Sequence, residues 1–450
     1  YVDFGPVLGA LFIAVVAFVI RRVFIAARRS LGFAVVYAQI GAALLFSSHS
    51  VYFTHQNFLF SLALIALVVL LSMRRRSAPL GQPAALPLFR SRRKPAQQPP
   101  PLPDSVMRRS VTMNPHRLLG LQALRGVAAV MVLIGHVLAE AEHYFALQLP
   151  GDAVPWTRGV DIFFVISGFV ITLSASRYAG QPGAFLWRRI LRVVPLYYLF
   201  TTLMVAALLV LPGGAKDTTL DPAQILSSYG FFPYARADGR IAPVLSLGWT
   251  LNYEMFFYAL MALCLALPRP LVTVAGMLMA LALLGLVVGF TTAQFTFWTN
   301  PLILEFLFGI ALARLWQRGW SRPDMALSIA ALVMGFALLI ALDPTPLPRF
   351  IAAGLPAALI VAGGTLFCPQ RPLPGQLLGD ASYALYLSHR FALRAATLVL
   401  LPLLPATALG AWVYVVTVCA LAVAVGILTH IAIERPLMRG FSRRKQAAPA

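Results

Sequence analysis

Charged side chains are scarce in this sequence, making up 11% of its 450 residues. That is too few to cover the surface of a soluble domain of this size. Acidic residues are scarcer still, 15 against 36 Arg and Lys, which leaves a formal charge of +21. Placement argues against a nucleic-acid partner, because the basic residues sit in short clusters between apolar runs, as the positive-inside rule expects. Cysteine is limited to Cys264, Cys368 and Cys419, with no C-x-x-C pair. Neither a disulfide framework nor a metal site is expected from it. What the sequence has in plenty is apolar residues, 60% of the total. They recur in runs of about 20, the length that spans a bilayer. The expected fold is therefore an all-α, polytopic membrane protein with membrane lipid as its surroundings.

Three apolar runs come first, at about 5–20, 31–53 and 57–73, separated by Arg21, Arg22, Arg28 and Arg29 and closed by Arg74, Arg75 and Arg76. If basic ends face the cytoplasm, residue 1 lies outside. The chain opens at Tyr1 with no methionine and no cleavable signal is evident, which fits a fragment of something longer. Residues 74–117 carry ten Arg/Lys and nine Pro, with no apolar periodicity. That composition predicts an extended cytoplasmic linker near anionic lipid. Ten spans follow, at about 119–139, 159–176, 193–212, 247–267, 271–290, 300–316, 325–342, 349–367, 380–402 and 409–431. With a cytoplasmic linker, the inner loops and tail hold fourteen Arg/Lys and the outer loops five. That bias sets the orientation, with the C-terminus and a basic tail at 441–450 in the cytoplasm. No internal repeat is evident, which weighs against inverted-repeat transporters.

Ionisable side chains inside a span are costly and mark function by default. The first span of the large domain carries Arg125 and His136. Eleven residues at 100° each make about three turns plus 20°, so both lie on one face, with a rise of about 16 Å. Histidine is also the side chain best poised for proton transfer near neutral pH. Gly126 and Gly135 suit close approach of a neighbour. The second span opens with Gly159, Asp161, Ser167 and Gly168, where Asp161 either caps a helix or orients an imidazole. In the fourth, Trp249 is followed by Thr250, Glu254 and Tyr258 at i, i+4 and i+8, a polar stripe along one face. Between the second and third spans lie Arg188, Arg189 and Arg192. They either anchor the chain at the cytoplasmic surface or clamp the phosphates of a nucleotide-bearing donor, which guanidinium geometry suits. The ninth span begins with Asp380, a candidate N-cap, then Tyr383, Tyr386 and His389 at steps of three. Packing is the first role for the tyrosines, and His389 is open between packing and function. Arg390 and Arg394 follow unusually deep.

The segments Arg125-x10-His136, Gly159-Val-Asp161-x-Phe-Phe-Val-Ile-Ser167-Gly168-Phe169, Phe185-x-x-Arg188-Arg189-x-x-Arg192-x-x-Pro195, Trp249-x4-Glu254 and Ser382-Tyr383-x-Leu-Tyr386-Leu-x-His389 stand in one order along the chain. In types, spacing and order they resemble the membrane acyltransferase-3 family over about 118–440. Gly248-Trp249-Thr250 departs from the family's more frequent Leu-Trp-Ser. The resemblance implies a ten-helix domain that O-acylates, most often acetylates, extracytoplasmic carbohydrates such as O-antigen or exopolysaccharide. It implies acyl-CoA from the cytoplasm as co-substrate and no metal, in a bacterial inner membrane. It places the motif arginine and histidine at Arg125 and His136, the acid at Glu254, and the donor-binding loop at Arg188, Arg189 and Arg192. Polysaccharide-assembly proteins are implied as possible partners. The first 75 residues faintly resemble the end of an O-antigen ligase or polymerase.

Acyl transfer to an alcohol needs a base and a stabilised oxyanion. No G-x-S-x-G elbow is present, so a serine acyl-enzyme is not suggested. The expected scheme has His136 as base or brief acyl carrier, Asp161 or Glu254 orienting it, and Trp249, Tyr258, Ser167, Tyr383 and His389 in supporting roles. Two rivals stand beside it. A transporter or flippase of a glycan or lipid intermediate explains the spans and buried charges, but not the arginine cluster beside a same-face Arg/His pair. A catalytically dead scaffold explains neither Arg125, His136 nor Glu254.

Overall fold

A computed structural model describes residues 118–149, 154–210, 221–319, 323–367 and 375–446. The expected three leading spans and the Pro/Arg linker lie outside the described residues. Within them the chain is helical, with one isolated antiparallel bridge, Ala235 to Ile241. The helices are α1 (Leu119–Phe145), α2 (Gly159–Ala175), α3 (Pro182–Val210), α4 (Pro222–Tyr229), α5 (Trp249–Cys264), α6 (Pro270–Val288) and α7 (Ala293–Trp298). They continue as α8 (Leu304–Gln317), α9 (Met325–Leu342), α10 (Leu355–Leu366), α11 (Gln376–Asp380), α12 (Ser382–Leu400), α13 (Ala408–Thr429) and α14 (Arg435–Gln446). π-helical turns at Phe350–Gly354 and His430–Glu434 lead into α10 and α14.

Among the described residues eight helical segments are long and apolar enough to cross a membrane. The protein is an all-α, multi-pass membrane protein. Two expected spans are shorter. The fourth is α5, 16 residues long after a tight turn at Ser246–Gly248. The eighth is the segment Phe350–Leu366. The third is longer than expected: α3 opens at Pro182, so the arginine cluster stands on its first turns and not in a loop.

Apolar surface gives helices little reason to associate in lipid, so small residues that admit close packing decide the contacts. α2 is the most buried span and packs on α8, α1, α10 and α5. It crosses α8 at two glycines: a Cβ on Gly168 would stand 2.2 Å from the Phe306 carbonyl oxygen, and one on Gly309 2.2 Å from that of Val165. Gly126 of α1 lies against the Gly379 backbone in the same manner. α6 and α9 are apolar all round and bury few residues, leaving Val272, Leu283, Leu286, Val333 and Met334 exposed to lipid. The polar side chains face inward, and the site is built there.

Candidate active site

An interior cavity of about 140 Å³ opens between α1, α2, α3, α5 and α12. The stripe Thr250, Glu254 and Tyr258 lines it from α5, as one-face spacing requires. Arg125 of α1 and Ser167 of α2 line it too, and the Ser167 hydroxyl donates to Glu254. Arg189 and Arg192, i and i+3 on α3, also line it. Arg188, one residue and about 100° away, is outside the lining and donates to the exposed side of Tyr178 at 2.8 Å. The predicted three-arginine cluster therefore divides into two inward side chains and one outward.

Both inward cations of α3 are held. Arg189 donates to Ser174 and lies 5.8 Å from the Tyr258 ring centre. Arg192 pairs with Glu434 at 2.7 Å and lies 5.9 Å from the Tyr383 ring. Tyr383 and Tyr386 both line the cavity. The Tyr383 hydroxyl donates to the Val193 carbonyl at 2.7 Å, and that of Tyr386 reaches the Leu247 carbonyl at 3.0 Å and Thr250 at 2.9 Å. Three guanidiniums, a carboxylate and phenol rings around one cavity make strong recognition of an anionic group possible.

His136 is not in that lining. Its ring stands by His389 of α12, with His389 Nε2 3.3 Å from His136 Nδ1. Tyr386 bridges the two regions: it lines the cavity, and its ring centre is 6.1 Å from that of His389. Hydrogen bonds assign the tautomers. His389 Nδ1 faces the Leu385 carbonyl at 3.2 Å and donates there, which makes its Nε2 an acceptor. His136 Nδ1 then donates, to that Nε2 and to the Val132 carbonyl at 2.9 Å. His136 Nε2 is left with its lone pair, the form a general base needs. The deep arginines beyond it are also matched, Arg390 with Glu140 at 3.7 Å and Arg394 with the Tyr144 hydroxyl at 2.9 Å.

Asp161 does not meet either histidine. Fully buried, it receives a two-pronged bond from Arg349, at 2.9 Å from Nε and 2.8 Å from Nη2. Arg349 in turn lies 5.6 Å from the Trp249 ring centre, and Glu305, also fully buried, stands against the pair. The expected imidazole–carboxylate contact is thus replaced by an ion pair. Asp380 likewise is not a side-chain cap: it ends α11 and accepts from Gln122. Trp249 and Arg349, with Tyr253, Phe297 and Asn300, border a second, more open recess beneath the 235–241 turn. In that turn the Arg240 guanidinium holds the Asp238 carboxyl below its usual range. Among the described residues no cluster of His, Cys, Asp or Glu could hold a metal ion.

Sequence reading missed Arg349, Glu305, Glu434 and His430. Glu305 and Glu434 carried a usable signal, since each is an acid in or beside an apolar run. Arg192 and Asp161, the groups they meet on distant helices, leave no trace in spacing, whereas His430 stands four residues before Glu434.

The family profile described as the acyltransferase domain matches residues 118–431. The chain belongs to the acyltransferase-3 family. It is similar to the exopolysaccharide production protein ExoZ of Rhizobium meliloti (strain 1021), 36% identical over 331 residues, 71% of this chain and 98% of that one. It is similar to the acyltransferase MdmB of Streptomyces mycarofaciens, 28% identical over 379 residues, covering 74% and 95%. With nodulation protein 10 of Rhizobium leguminosarum bv. viciae it shares 27% over 315 residues, 62% of this chain and 82% of that one. No solved structure matches. As an acyltransferase-3 member the protein is a membrane-bound O-acyltransferase that takes an acyl donor as co-substrate, and the cavity with its adjoining histidine pair is the candidate site for that transfer.

Proposed function

We propose that this enzyme moves an acetyl group from cytoplasmic acyl-CoA to a hydroxyl of an extracytoplasmic polysaccharide, from the inner membrane of a bacterium, with its C-terminus in the cytoplasm. The observation that carries the reading is one cavity lined by Arg125, Arg189 and Arg192 together with Glu254. Inward guanidiniums match the phosphates of CoA. Arg125 and His136 stand about 16 Å apart along α1, so the thioester would travel from the arginine end toward the histidines. There His136 Nε2 takes the acceptor's hydroxyl proton as its oxygen attacks the thioester carbon. The C–S bond then breaks, and the proton passes to the leaving thiolate of CoA. A polysaccharide acceptor is supported by the relative named for exopolysaccharide production. It is also supported by the recess with Trp249, Asn300 and Arg349, on the side the charge pattern places outside.

Purified protein in detergent should bind acetyl-CoA, and a deletion strain should lose one acyl increment per repeat in glycan mass spectrometry. Unchanged glycan masses, with no acetyl-CoA binding by the protein, would overturn the proposal.

A further inference from the structure

Behind Arg192 stands a second layer that neither the motifs nor the reaction uses. Glu434 is 3% exposed, and both its oxygens are taken: Oε1 accepts from Arg192 Nη1 at 2.7 Å, and Oε2 meets His430 Nδ1 at 2.7 Å. His430 and Glu434 open and close the π-helical turn between α13 and α14. Such wide turns are rare within helices and frequently mark functional sites. The face of the turn is buried at both residues while Ile431 between them is 46% exposed. The turn therefore directs this pair inward at α3.

An arginine partly withdrawn from solvent at a cavity wall, as Arg192 is, gains from an opposite charge beside it. Guanidinium offers five N–H donors in a rigid fork. Glu434 occupies Nη1 from behind, and the rest of the fork remains for a ligand in the cavity. Tyr383, whose ring faces the same guanidinium, closes the other side. Arg192 is thus fixed in one orientation before any donor arrives, and preorganisation of this kind lowers the ordering cost of binding.

Resting on the donor reading above, we propose that Glu434, oriented by His430, is a positioning residue that sets Arg192 for the phosphates of the CoA donor. It touches neither thioester nor acceptor. Its effect should follow the phosphates and be absent for a donor without them.

The test compares acetyl-CoA with S-acetyl-pantetheine, which keeps the thioester and lacks the nucleotide phosphates, as donors to wild type, Glu434→Gln and His430→Gln. Loss of one charged hydrogen bond corresponds to about a tenfold rise in KM for acetyl-CoA in Glu434→Gln. The same variant should use S-acetyl-pantetheine as wild type does, within about twofold. His430→Gln, which leaves the Arg192–Glu434 pair in place, should show the same selectivity at smaller amplitude and serves if Glu434→Gln does not fold. Equal losses with both donors in both variants would mark a merely structural role and overturn the proposal, as would an unchanged KM for acetyl-CoA. A wild-type enzyme that shows no preference for acetyl-CoA over S-acetyl-pantetheine would instead sink the phosphate-clamp reading itself, a separate result.

Discussion

Two imidazoles and a peptide carbonyl set the hydrogen-bond pattern of His136. Because the Leu385 carbonyl fixes His389, and His389 Nε2 fixes His136, the free lone pair is at His136 Nε2. Replacing His136 with alanine should cut turnover by about 10²- to 10⁴-fold, the usual contribution of a general base. His389→Ala removes the orienting acceptor and leaves His136 its lone pair. It should lower kcat by about tenfold with KM for acetyl-CoA unmoved, read from CoA release with a thiol reagent. The Asp161–Arg349 fork is a different kind of pair. Asp161→Asn leaves Arg349, whose side chain is about one-third exposed, without its main counter-charge, so it should destabilise by about 1 to 3 kcal/mol. Asp161→Asn combined with Arg349→Gln should cost less than the two single changes summed, as thermal unfolding in detergent would show. Thr250, Glu254 and Tyr258 were legible in the sequence because partners on one helix face obey a fixed spacing, and the cavity receives all three. Asp161 was legible as unusual but not in its partner. Arg349 is 188 residues away, and no local pattern encodes such a distance.

Helices in this bundle meet through absence of side chain. At the α2–α8 crossing, a Cβ on Gly309 would sit 2.2 Å from the Val165 carbonyl oxygen and 2.6 Å from the Phe169 nitrogen. Both are backbone atoms that cannot swing aside, so the helices must part. Gly309→Val should lower stability by about 1 to 3 kcal/mol, seen as earlier aggregation on heating in detergent. It should also reduce activity, since α2 carries Asp161 and Ser167. The apolar runs made most spans readable, as α6 and α9 are apolar on every side. Two limits of that signal are visible. Hydropathy does not register where a helix begins, so the tight turn at Ser246–Gly248 shortened the fourth span. It also undercounts helix that carries charge, so α3 continues back through its arginines to Pro182. That extension places Arg189 and Arg192 on one rigid face, while Arg188 turns outward.

Across the whole molecule, orientation rests on where the cations are. Arg177, Arg188, Arg189 and Arg192 cluster at the α2–α3 end, and Arg314, Arg318, Arg435 and Arg439 belong to the same side by the order of spans. The opposite ends hold Arg158, Arg236, Arg240 and Arg349, fewer than the first side and each paired with an acid: Asp343, Asp238, Asp238 and Asp161 in turn. Ala237 and Gln181 are exposed at the two ends, one in the 235–241 turn and one just before α3. With Cys264, Cys368 and Cys419 replaced by serine or alanine, Ala237→Cys should react with a membrane-impermeant maleimide in cells whose outer barrier is open and inner membrane intact. Gln181→Cys should react only after the inner membrane is permeabilised. The inverse pattern would put the inward arginines on the side without CoA. Since a phosphate clamp is useful only where the donor is made, it would separate Arg189 and Arg192 from donor binding while leaving the fold untouched.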